Sequence, residues 1–466
     1  MKNYNSGYKP YKTLYLKGDR YFCAIPEDLE IRDLYLITDD DSGFLICPEC
    51  GTTLLLDNTS VRSILQGKVT NHLAFVMVQR GMASYRFSRP IAAVSGLIRP
   101  SFFLIDMTKS CNLNCLYCFR ELDRDLPSMK KTQMIRITEA LIRHMREHSG
   151  MPVSIQAWGG EPLLKLDMIL LMRHMFDEAG LAPEIAIETN GTLISKETAK
   201  LITEANIHVG ISIDGNSLVH DLQRPMIGGS PSLNRVENGI KNLRDAGCRN
   251  FGTITVVTRN TLRHLEEIID YFAKDLHLKS IKFNLMRKTD HNEGLAIDPD
   301  EIESYADRLL NHIYHLYKNG IFIREQNIRQ RLLNLTCRPD NNICNACGCQ
   351  GGRRMLSIDP EGSVYPCELT DYQTFRMGSV EESFDRMAQR AAESGKGYFE
   401  PRNLESCKDC PWFYYCKGGC KSAALYASGR VTNIDETECR LNKTLYPRLV
   451  NILLNDTMFA DYLQKG

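Results

Sequence analysis

Three cysteines, Cys111, Cys115 and Cys118, lie within eight residues in the segment Cys-Asn-Leu-Asn-Cys-Leu-Tyr-Cys. A loop of this length can wrap a cube-shaped 4Fe-4S cluster with three thiolates, which leaves one iron without a protein ligand. An open iron can bind a small molecule, so the spacing indicates catalysis. Structural zinc is the alternative interpretation, but such sites usually show four donors in paired Cys-x2-Cys ligands, and three cysteines in this spacing do not offer them.

A second group of cysteines lies in the last third of the chain. Its members are Cys349, Cys367, Cys407, Cys410, Cys416, Cys420 and Cys439, with Cys344 and Cys347 just upstream. Most of the seventeen cysteines of this long chain cluster in ligand-like spacings, which favours metal binding over a disulfide framework. A zinc ribbon is the alternative to iron-sulfur clusters for this group.

The other cysteines carry weaker signals. Cys47 and Cys50 form a lone Cys-x2-Cys pair, which completes a zinc site only if two more donors converge on it. Cys23, Cys248 and Cys337 have no ligand spacing, so we expect small, buried apolar side chains there.

The elements that position these residues follow from periodicity. From Ser101 to about Gly320, runs of period two alternate with amphipathic helical runs, which predicts six successive strand–helix units. The predicted strands are Phe102–Asp106, Val153–Trp158, Glu184–Thr189, Val209–Ile213, Thr253–Val257 and Ile281–Leu285. In the absence of a dinucleotide-binding fingerprint, the predicted fold class is α/β with a curved, partial (β/α)6 barrel of the TIM type. The functional residues should then lie at the carboxyl ends of the strands.

The flanking segments differ from the barrel in composition. Residues 1–98 hold short β-rich runs, among them Thr13–Leu16 and Tyr21–Ile25, followed by two helical runs, and they fit a winged-helix-like domain. We assign 99–325 to the barrel and 326–440 to a Cys-rich domain that has little apolar core and needs clusters to hold it. A C-terminal helix is predicted within 441–466.

Polar residues follow several predicted strands. They are Gly159, Gly160 and Glu161 after the second strand, Asn190 after the third, and Ser212 and Asp214 after the fourth. Each of these alone also fits a turn or a helix N-cap. Their recurrence at successive strand ends favours a binding site, to which Arg224 could add a guanidinium that pairs with a carboxylate.

The Cys-x3-Cys-x2-Cys loop after the first strand, together with Gly159-Gly160-Glu161 after the second, resembles the radical S-adenosylmethionine (SAM) superfamily. The resemblance implies that the open iron chelates SAM and that one electron splits SAM into methionine and a 5′-deoxyadenosyl radical, which abstracts hydrogen from a substrate. It also implies which residues contact SAM: Tyr117 at the adenine, the Gly159, Gly160 and Glu161 turn at the ammonium, Asn190, Ser212 and Asp214 near the ribose and carboxylate, and Arg224 at the carboxylate.

The C-terminal cysteines resemble the SPASM domain, which holds two auxiliary 4Fe-4S clusters, so the resemblance implies three clusters in total. The family pairing implies one cluster on Cys349, Cys367 and Cys420 and another on Cys407, Cys410, Cys416 and Cys439. Cys344, Cys347 or a substrate thiolate would supply the fourth ligand of the first. Glu368 matches a position proposed as a base in sulfatase-maturing relatives, although a solvated loop carboxylate is the alternative.

These features together resemble the maturases of ribosomally synthesised peptides. The resemblance implies a precursor peptide whose leader adds a strand to the N-terminal domain, an electron donor such as flavodoxin or ferredoxin, and a cross-link, first of all a cysteine thioether. The alternatives are formylglycine formation in a sulfatase and, from another class, a zinc-binding winged-helix protein that binds nucleic acid. The 57 basic and 57 acidic residues cancel, which disfavours nucleic-acid and membrane partners, and the lack of a long apolar run predicts a cytoplasmic protein.

Overall fold

The N-terminal residues form a small antiparallel layer. The computed structural model describes residues 11–26, 29–39, 41–85, 98–120, 128–289, 291–336, 344, 348–369, 373–393 and 407–465. The elements of the layer are β1 (Lys12–Leu16), β2 (Leu29–Ile31), β3 (Leu34–Thr38), β4 (Gly43–Ile46), β5 (Thr53–Leu56), α1 (Asn58–Leu65), α2 (Asn71–Gln79) and β6 (Ala83–Tyr85). Strands β1, β3, β4 and β5 pair in that order, and β2 pairs with β6. The predicted winged-helix character of this layer stays a prediction.

The two central strands of this layer, β3 and β4, are buried on both faces. Leu34 and Leu36 pack with the helices of the layer, whereas the alternate residues Tyr35 and Ile37 join the main core of the protein. Successive side chains of a strand point to opposite faces, so β3 contributes to two hydrophobic cores.

The predicted strand at Tyr21–Ile25 is wrong, because its backbone turns toward the end of α1 and makes only an isolated bridge there.

The predicted α/β class is confirmed, and a large, mainly parallel sheet lies where the sequence predicts the partial barrel. Its strands are β7 (Phe102–Thr108), β8 (Ser154–Gly159), β9 (Glu184–Thr189), β10 (His208–Ser212), β11 (Phe251–Val257), β12 (Ser280–Leu285) and β13 (Arg324–Glu325), each hydrogen-bonded to the next. Strand β7 is buried along almost its whole length, as expected for a parallel strand with both faces covered.

Helices cover the outer face of the sheet. They are α3 (Lys131–Glu147), α4 (Leu166–Glu178), α5 (Lys196–Glu204), α6 (Ser217–Gln223), α7 (Leu233–Asp245), α8 (Arg259–Arg263), α9 (Leu265–Asp270), α10 (Ile302–Lys318) and α11 (Gln326–Leu335). In α3, Met134, Ile137 and Leu141 share one buried stripe at helical spacing. Short 3-10 or π turns lie at Gly18–Arg20, Pro162–Lys165, Tyr271–Asp275, Glu293–Leu295, Pro299–Glu301 and Gln373–Phe375.

The C-terminal segment extends the same sheet. Its elements are β14 (Met355–Ile358), β15 (Ser363–Tyr365), β16 (Gly378–Ser379), α12 (Phe384–Glu393), α13 (Phe413–Cys416), α14 (Lys421–Ser428), α15 (Glu436–Asn455) and α16 (Thr457–Gln464). Strand β14 pairs in parallel with β7, and β15 and β16 follow it antiparallel. The barrel and this segment therefore share one sheet. Among the described helices, none has the length and apolar character needed to cross a membrane.

A buried ion pair joins the barrel to the C-terminal helix α15. Arg331 of α11 is almost fully buried; its Nη2 lies 2.6 Å from Glu438 Oε1, and its Nε donates to Asn442 Oδ1 at 2.8 Å. Glu438 is adjacent to Cys439, so this contact also positions one of the predicted cluster ligands.

Arg331→Met should destabilise the protein by about 3–5 kcal/mol, because it leaves the Glu438 carboxylate poorly solvated and unpaired. Arg440→Met is the matched control on α15, since Arg440 pairs with Asp300 at the surface and should change stability by less than about 1 kcal/mol. Denaturant unfolding of both variants measures the difference. Equal unfolding midpoints in the two variants would contradict the assignment.

Candidate active site

The loop Cys111–Cys118 lies at the carboxyl end of β7 and is fixed by backbone hydrogen bonds. Asn114 N donates to Pro225 O and Leu116 N donates to Gln223 O, each at 2.9 Å. The partners belong to the end of α6 and the turn after it. The cysteine loop is thus paired with a segment that follows β10, on the other side of two intervening strands.

The three cysteines of this loop are partly buried and form no disulfide. Burial and the nearby thiolates of Cys118 and Cys111 raise the pKa of Cys115 to about 12, against the lowering effect of Arg224. Burial also raises the pKa of Cys111. A metal ion deprotonates a coordinating thiol outright, so Cys111 and Cys115 fit as ligands of an iron-sulfur cluster and fit poorly as free thiolates.

The turn at Gly159 and Gly160 packs directly on the start of the cysteine loop. Gly160 N donates to Thr108 O at 2.6 Å, and Glu161 N donates to Ser110 O at 2.9 Å. A Cβ on Gly160 would lie 2.2 Å from Ser110 O, and one on Gly159, whose φ is +139°, would lie 2.4 Å from Thr108 O. Only glycine permits this approach of two backbones.

Glu161 is fully buried and connects the ends of two strands. Its carboxylate accepts hydrogen bonds from Leu163 N at 3.0 Å, Thr189 Oγ1 at 2.6 Å and Asn190 N at 2.8 Å. Burial raises the pKa of Glu161 to about 7, although the three donors oppose that shift. In this structure Glu161 positions the ends of β8 and β9, and its predicted contact with the SAM ammonium stays a prediction.

Asn190 carries the connection back to the cysteine loop. Its Nδ2 donates to Asn112 Oδ1 at 2.8 Å and lies 3.8 Å from Cys111 Sγ. Ser212, at the end of β10, is partly exposed and pairs in register with Ile254 of β11. The ends of β7, β8 and β9 are therefore joined near Cys111 by backbone hydrogen bonds and by the side chains of Glu161 and Asn190, with Ser212 on the next strand.

Asp214 is a fully buried acceptor that orients two other predicted site residues. Its Oδ2 accepts hydrogen bonds from Tyr117 OH at 2.6 Å, Arg224 Nε at 2.9 Å and Gln223 Nε2 at 3.1 Å, and its Oδ1 accepts one from Val256 N at 3.1 Å. With four donors already bound, Asp214 acts in this structure as a positioning residue.

Arg224 reaches from Asp214 toward the cysteine loop. Its Nη1 lies 4.0 Å from Cys115 Sγ, and its guanidinium carbon lies 5.2 Å from the centre of the Tyr117 ring. Burial lowers the pKa of Arg224, but the charges of Asp214, Tyr117 and Cys115 and the hydrogen bond to Asp214 together outweigh burial, and the net pKa lies above the usual value. A permanent cation is thus held beside the thiols, where the predicted SAM carboxylate would lie.

The structure brings Cys344, Cys349 and Cys420 together. Burial and, after it, the charge of the Cys420 thiolate raise the pKa of Cys349 to about 11. The charges of Cys349 and Cys420 also reach Cys344. Cys347 lies outside the described residues. Cys344 therefore lies near two of the cysteines predicted for the first auxiliary cluster, and its role as the fourth ligand stays a prediction.

Cys367 lies at the inner wall of the barrel. It shares an apolar cluster with Leu104 and Trp158, against which Phe119 packs. The next residue, Glu368, is half-buried, and its Oε2 is shielded from solvent without a hydrogen-bond partner. Burial and the charge of Glu188 raise the pKa of Glu368.

The remaining predicted ligands form a second group near the start of α15. Burial raises the pKa of Cys410, and the thiolates of Cys439 and Cys407 are close enough to raise it further. Burial, Glu438 and Cys439 raise the pKa of Cys416 in the same way. Cys439 thus lies near each of the other three cysteines predicted for the second auxiliary cluster, while their role as ligands stays a prediction. Cys47 and Cys50 lie in the N-terminal layer.

Some residues of the site were not predicted from the sequence. Asn112 is one of them, although its place between two cysteines was an available signal. Gln223, beside Arg224, binds Asp214. Arg120 pairs with Asp106, and its guanidinium carbon lies 4.3 Å from the centre of the Trp158 ring. Nothing in the sequence marks Arg120, because its contacts arise only when the loop folds back over β8.

Comparison with known proteins identifies the family. The Radical SAM superfamily model matches residues 105–272, and the SPASM iron-sulfur cluster-binding domain matches residues 349–411. The chain therefore belongs to the radical SAM superfamily, is a radical SAM enzyme and carries a SPASM domain. Its cofactors are accordingly SAM with a SAM-binding iron-sulfur cluster, and auxiliary iron-sulfur clusters.

Two curated relatives cover most of the chain. A cysteine-type anaerobic sulfatase-maturating enzyme of Clostridium perfringens is 25% identical over 382 residues, which are 78% of this chain and 99% of that enzyme. A radical SAM cyclopropyl synthase of Paramaledivibacter caminithermalis is 25% identical over 430 residues, which are 85% of this chain and 84% of that enzyme.

Two solved structures share the fold. One is anSMEcpe with bound AdoMet and the Cp18Cys peptide, at a TM-score of 0.65 and 22% identity, covering 76% of this chain and 98% of that chain. The other is Streptococcus suis SuiB bound to the precursor peptide SuiA, at a TM-score of 0.54 and 15% identity, covering 88% of this chain and 98% of that chain.

Gly160→Ala should prevent assembly of the cluster at Cys111–Cys118, because the new Cβ would overlap Ser110 O and displace the loop. The expected loss after anaerobic reconstitution is about four iron atoms per chain. Gly294→Ala is the control, since a Cβ there meets nothing within 4 Å. Iron analysis of both variants checks the prediction, and an unchanged iron content in Gly160→Ala would refute it.

Proposed function

We propose that this enzyme matures a ribosomally made, Cys-rich precursor peptide by closing a thioether cross-link. When bound, SAM and its cluster supply the hydrogen-abstracting 5′-deoxyadenosyl radical, and the two auxiliary clusters supply an electron acceptor. An electron donor such as flavodoxin or ferredoxin would reduce the enzyme in the cytoplasm. The observation that carries this choice of substrate is the antiparallel N-terminal layer and its place against the C-terminal segment.

The position of that layer supports a role in substrate capture. Tyr415, just before Cys416, donates from its hydroxyl to Gly51 O at 2.7 Å, so the layer contacts the segment that holds the predicted second auxiliary cluster. Within the described residues, β1 has a hydrogen-bonded neighbour on one side only, β3. An extended leader peptide could add a strand along the other side of β1. Residues 1–98 would then be the peptide-recognition domain.

Tethering the leader in this way raises the local concentration of the core peptide at the barrel. The layer contacts the C-terminal segment at Gly51 and Tyr415, one residue before Cys416. A core peptide that extends from β1 along this contact would reach the C-terminal cysteines.

Glu368 is the proposed base for the substrate thiol. Its Oε2 accepts no hydrogen bond within the described residues and is therefore available to accept a proton. The charges of Arg120 and Arg287 favour the deprotonated form of Glu368. Thioether formation removes one hydrogen atom from carbon, one proton from the thiol and one electron. The proton would go to Glu368, and the product would be lighter than the precursor by two hydrogens per cross-link.

Formylglycine formation in a sulfatase is the second candidate. The identity with the sulfatase-maturating enzyme of C. perfringens over nearly its whole length favours it. That match leaves about a fifth of this chain uncovered, and the N-terminal layer has no assigned role in this candidate. The two candidates share radical generation and a base, and they differ in the product.

Co-expression of a Cys-rich peptide encoded beside this gene should separate the candidates. We expect the peptide made with the wild type to lose two hydrogens per cross-link and to resist thiol alkylation at the bridged cysteine, as mass spectrometry would show. Cys115→Ala should leave the peptide unchanged. A hydrazide-reactive aldehyde in place of the mass loss would favour formylglycine formation, and identical masses would refute the proposal for that peptide.

Glu368→Gln should keep SAM cleavage within about twofold of the wild type and lower cross-linking by about 10²–10⁴-fold, the usual contribution of a general base. A base must be deprotonated to act, so cross-linking by the wild type should rise with pH through the raised pKa of Glu368. Glu361→Gln, an exposed glutamate of the same segment, is the control. Parallel losses of 5′-deoxyadenosine and product in Glu368→Gln would argue against this role.

A further inference from the structure

Two histidines and an aspartate, residue types that commonly bind metal ions, lie together on the outside of the barrel, where α3 ends and α12 begins. His144 lies in the last turn of α3, His148 caps that helix, and Asp385 is the second residue of α12. Their ligand atoms all lie within 4.8 Å of one another. We propose that these three residues bind a divalent transition-metal ion, Zn²⁺ in the first place, which joins the C-terminal segment to the barrel.

The hydrogen bonds of His144 fix which ring nitrogen can bind a metal. Its Nε2 lies 2.7 Å from the carbonyl oxygen of Pro100, and because a carbonyl only accepts, Nε2 must carry the proton. The lone pair of neutral His144 is therefore on Nδ1. An imidazole that donates to a carbonyl from one nitrogen and binds a metal with the other is the usual arrangement in metal sites.

The Nδ1 lone pair of His144 faces a second acceptor. Asp385 Oδ1 lies 3.7 Å away, is shielded from solvent and accepts no hydrogen bond within the described residues. Two acceptors that face each other repel unless a cation lies between them. The cation can be a proton on Nδ1 or a metal ion.

The surroundings of His144 favour the metal ion over the proton. Its side chain is 3% exposed, and the rings of Phe103 and Phe384 pack against it edge-on. Burial lowers the pKa of His144. This effect outweighs the charge of Asp385, which would raise the pKa. A metal ion binds the neutral imidazole, so the apolar surroundings that oppose a second proton do not oppose a metal.

The other two ligands complete a site that reaches solvent. His148 Nε2 lies 2.6 Å from Asp385 Oδ2, and as a ligand His148 would carry its proton on Nδ1 instead. The side chains of His148 and Asp385 are 11% and 24% exposed, which leaves water access to a fourth position. In a tetrahedral zinc site with bonds of about 2.0–2.1 Å, neighbouring ligand atoms lie about 3.3 Å apart, a spacing that small side-chain movements would produce here.

Zinc suits this donor set because two imidazoles, one carboxylate and a water are a common zinc environment. The site would tie α12, which follows the edge strand β16, to the first helix of the barrel. Between Cys367 and Cys407, α12 is the longest described element of the C-terminal segment. None of the three ligands belongs to the proposed catalytic machinery, so the site does not depend on the proposed function.

Metal analysis of the reconstituted holoenzyme tests the proposal. The protein is incubated anaerobically with one equivalent of ZnCl2 and desalted, and zinc and iron are measured per chain. We expect about one more zinc per chain in the wild type than in Asp385→Asn or His148→Ala, with equal iron in all three. His174→Ala is the matched control, because His174 pairs with Glu178 on the surface of α4 and should retain the zinc.

Zinc bound to cysteines would have a different X-ray absorption spectrum. The proposal predicts a first shell of nitrogen and oxygen at about 2.0–2.1 Å in the wild type, and a sulfur shell at about 2.3 Å would overturn it. Equal zinc in the wild type and both variants would also overturn it, and would leave an ordinary hydrogen bond between His148 and Asp385. If His148→Ala loses iron as well, the more conservative Asp385→Asn decides.

Discussion

The contact between the backbones at Gly160 and Ser110 is the constraint on which the candidate site depends. It presses the end of β8 against the first residues of the cysteine loop and leaves no space for a side chain. From this contact Glu161 reaches across to β9, and Asn190 returns from β9 to the loop beside Cys111. A closed circuit of hydrogen bonds thus holds three strand ends around one thiol. Asp214 orders the other part of the cysteine loop, because its hydrogen bonds orient Tyr117 and Arg224 beside Cys115.

The shared sheet connects this circuit to the rest of the protein. Because β14 pairs with β7, the strand that carries the cysteine loop has its neighbours in two different segments of the chain, β8 and β14. Strand β15 then runs back and brings Cys367 to the inner wall beside Trp158. The N-terminal layer packs on this assembly through the outer face of its own sheet. The proposed metal site at His144 would add a second tie between the barrel and the C-terminal segment, independent of the iron-sulfur clusters.

Much of this arrangement could be predicted from the sequence, and the rest depends on register. The six barrel strands were predictable because buried parallel strands are short apolar runs, and Cys111, Glu161 and Asn190 follow strands that lie side by side. The donors on Glu161 and Asp214 were not predictable, because they depend on which residues of different strands lie level with one another. Strand β14 was missed because it is four residues long and pairs with a strand far away in the sequence. Tyr21–Ile25 has strand composition, but among the described residues its backbone makes only the isolated bridge between Ala24 and Lys68.

The central claim is that Cys111, Cys115 and Cys118 hold the cluster that cleaves SAM. Its most direct test is 5′-deoxyadenosine formation from SAM by anaerobically reconstituted, chemically reduced protein, measured for the wild type, Cys115→Ala and the control Cys23→Ala. We expect a brown wild type and control that form 5′-deoxyadenosine, and a Cys115→Ala protein that forms none while it keeps the iron of its auxiliary clusters. Equal 5′-deoxyadenosine formation by wild type and Cys115→Ala, or a colourless, zinc-loaded wild type, would contradict the account.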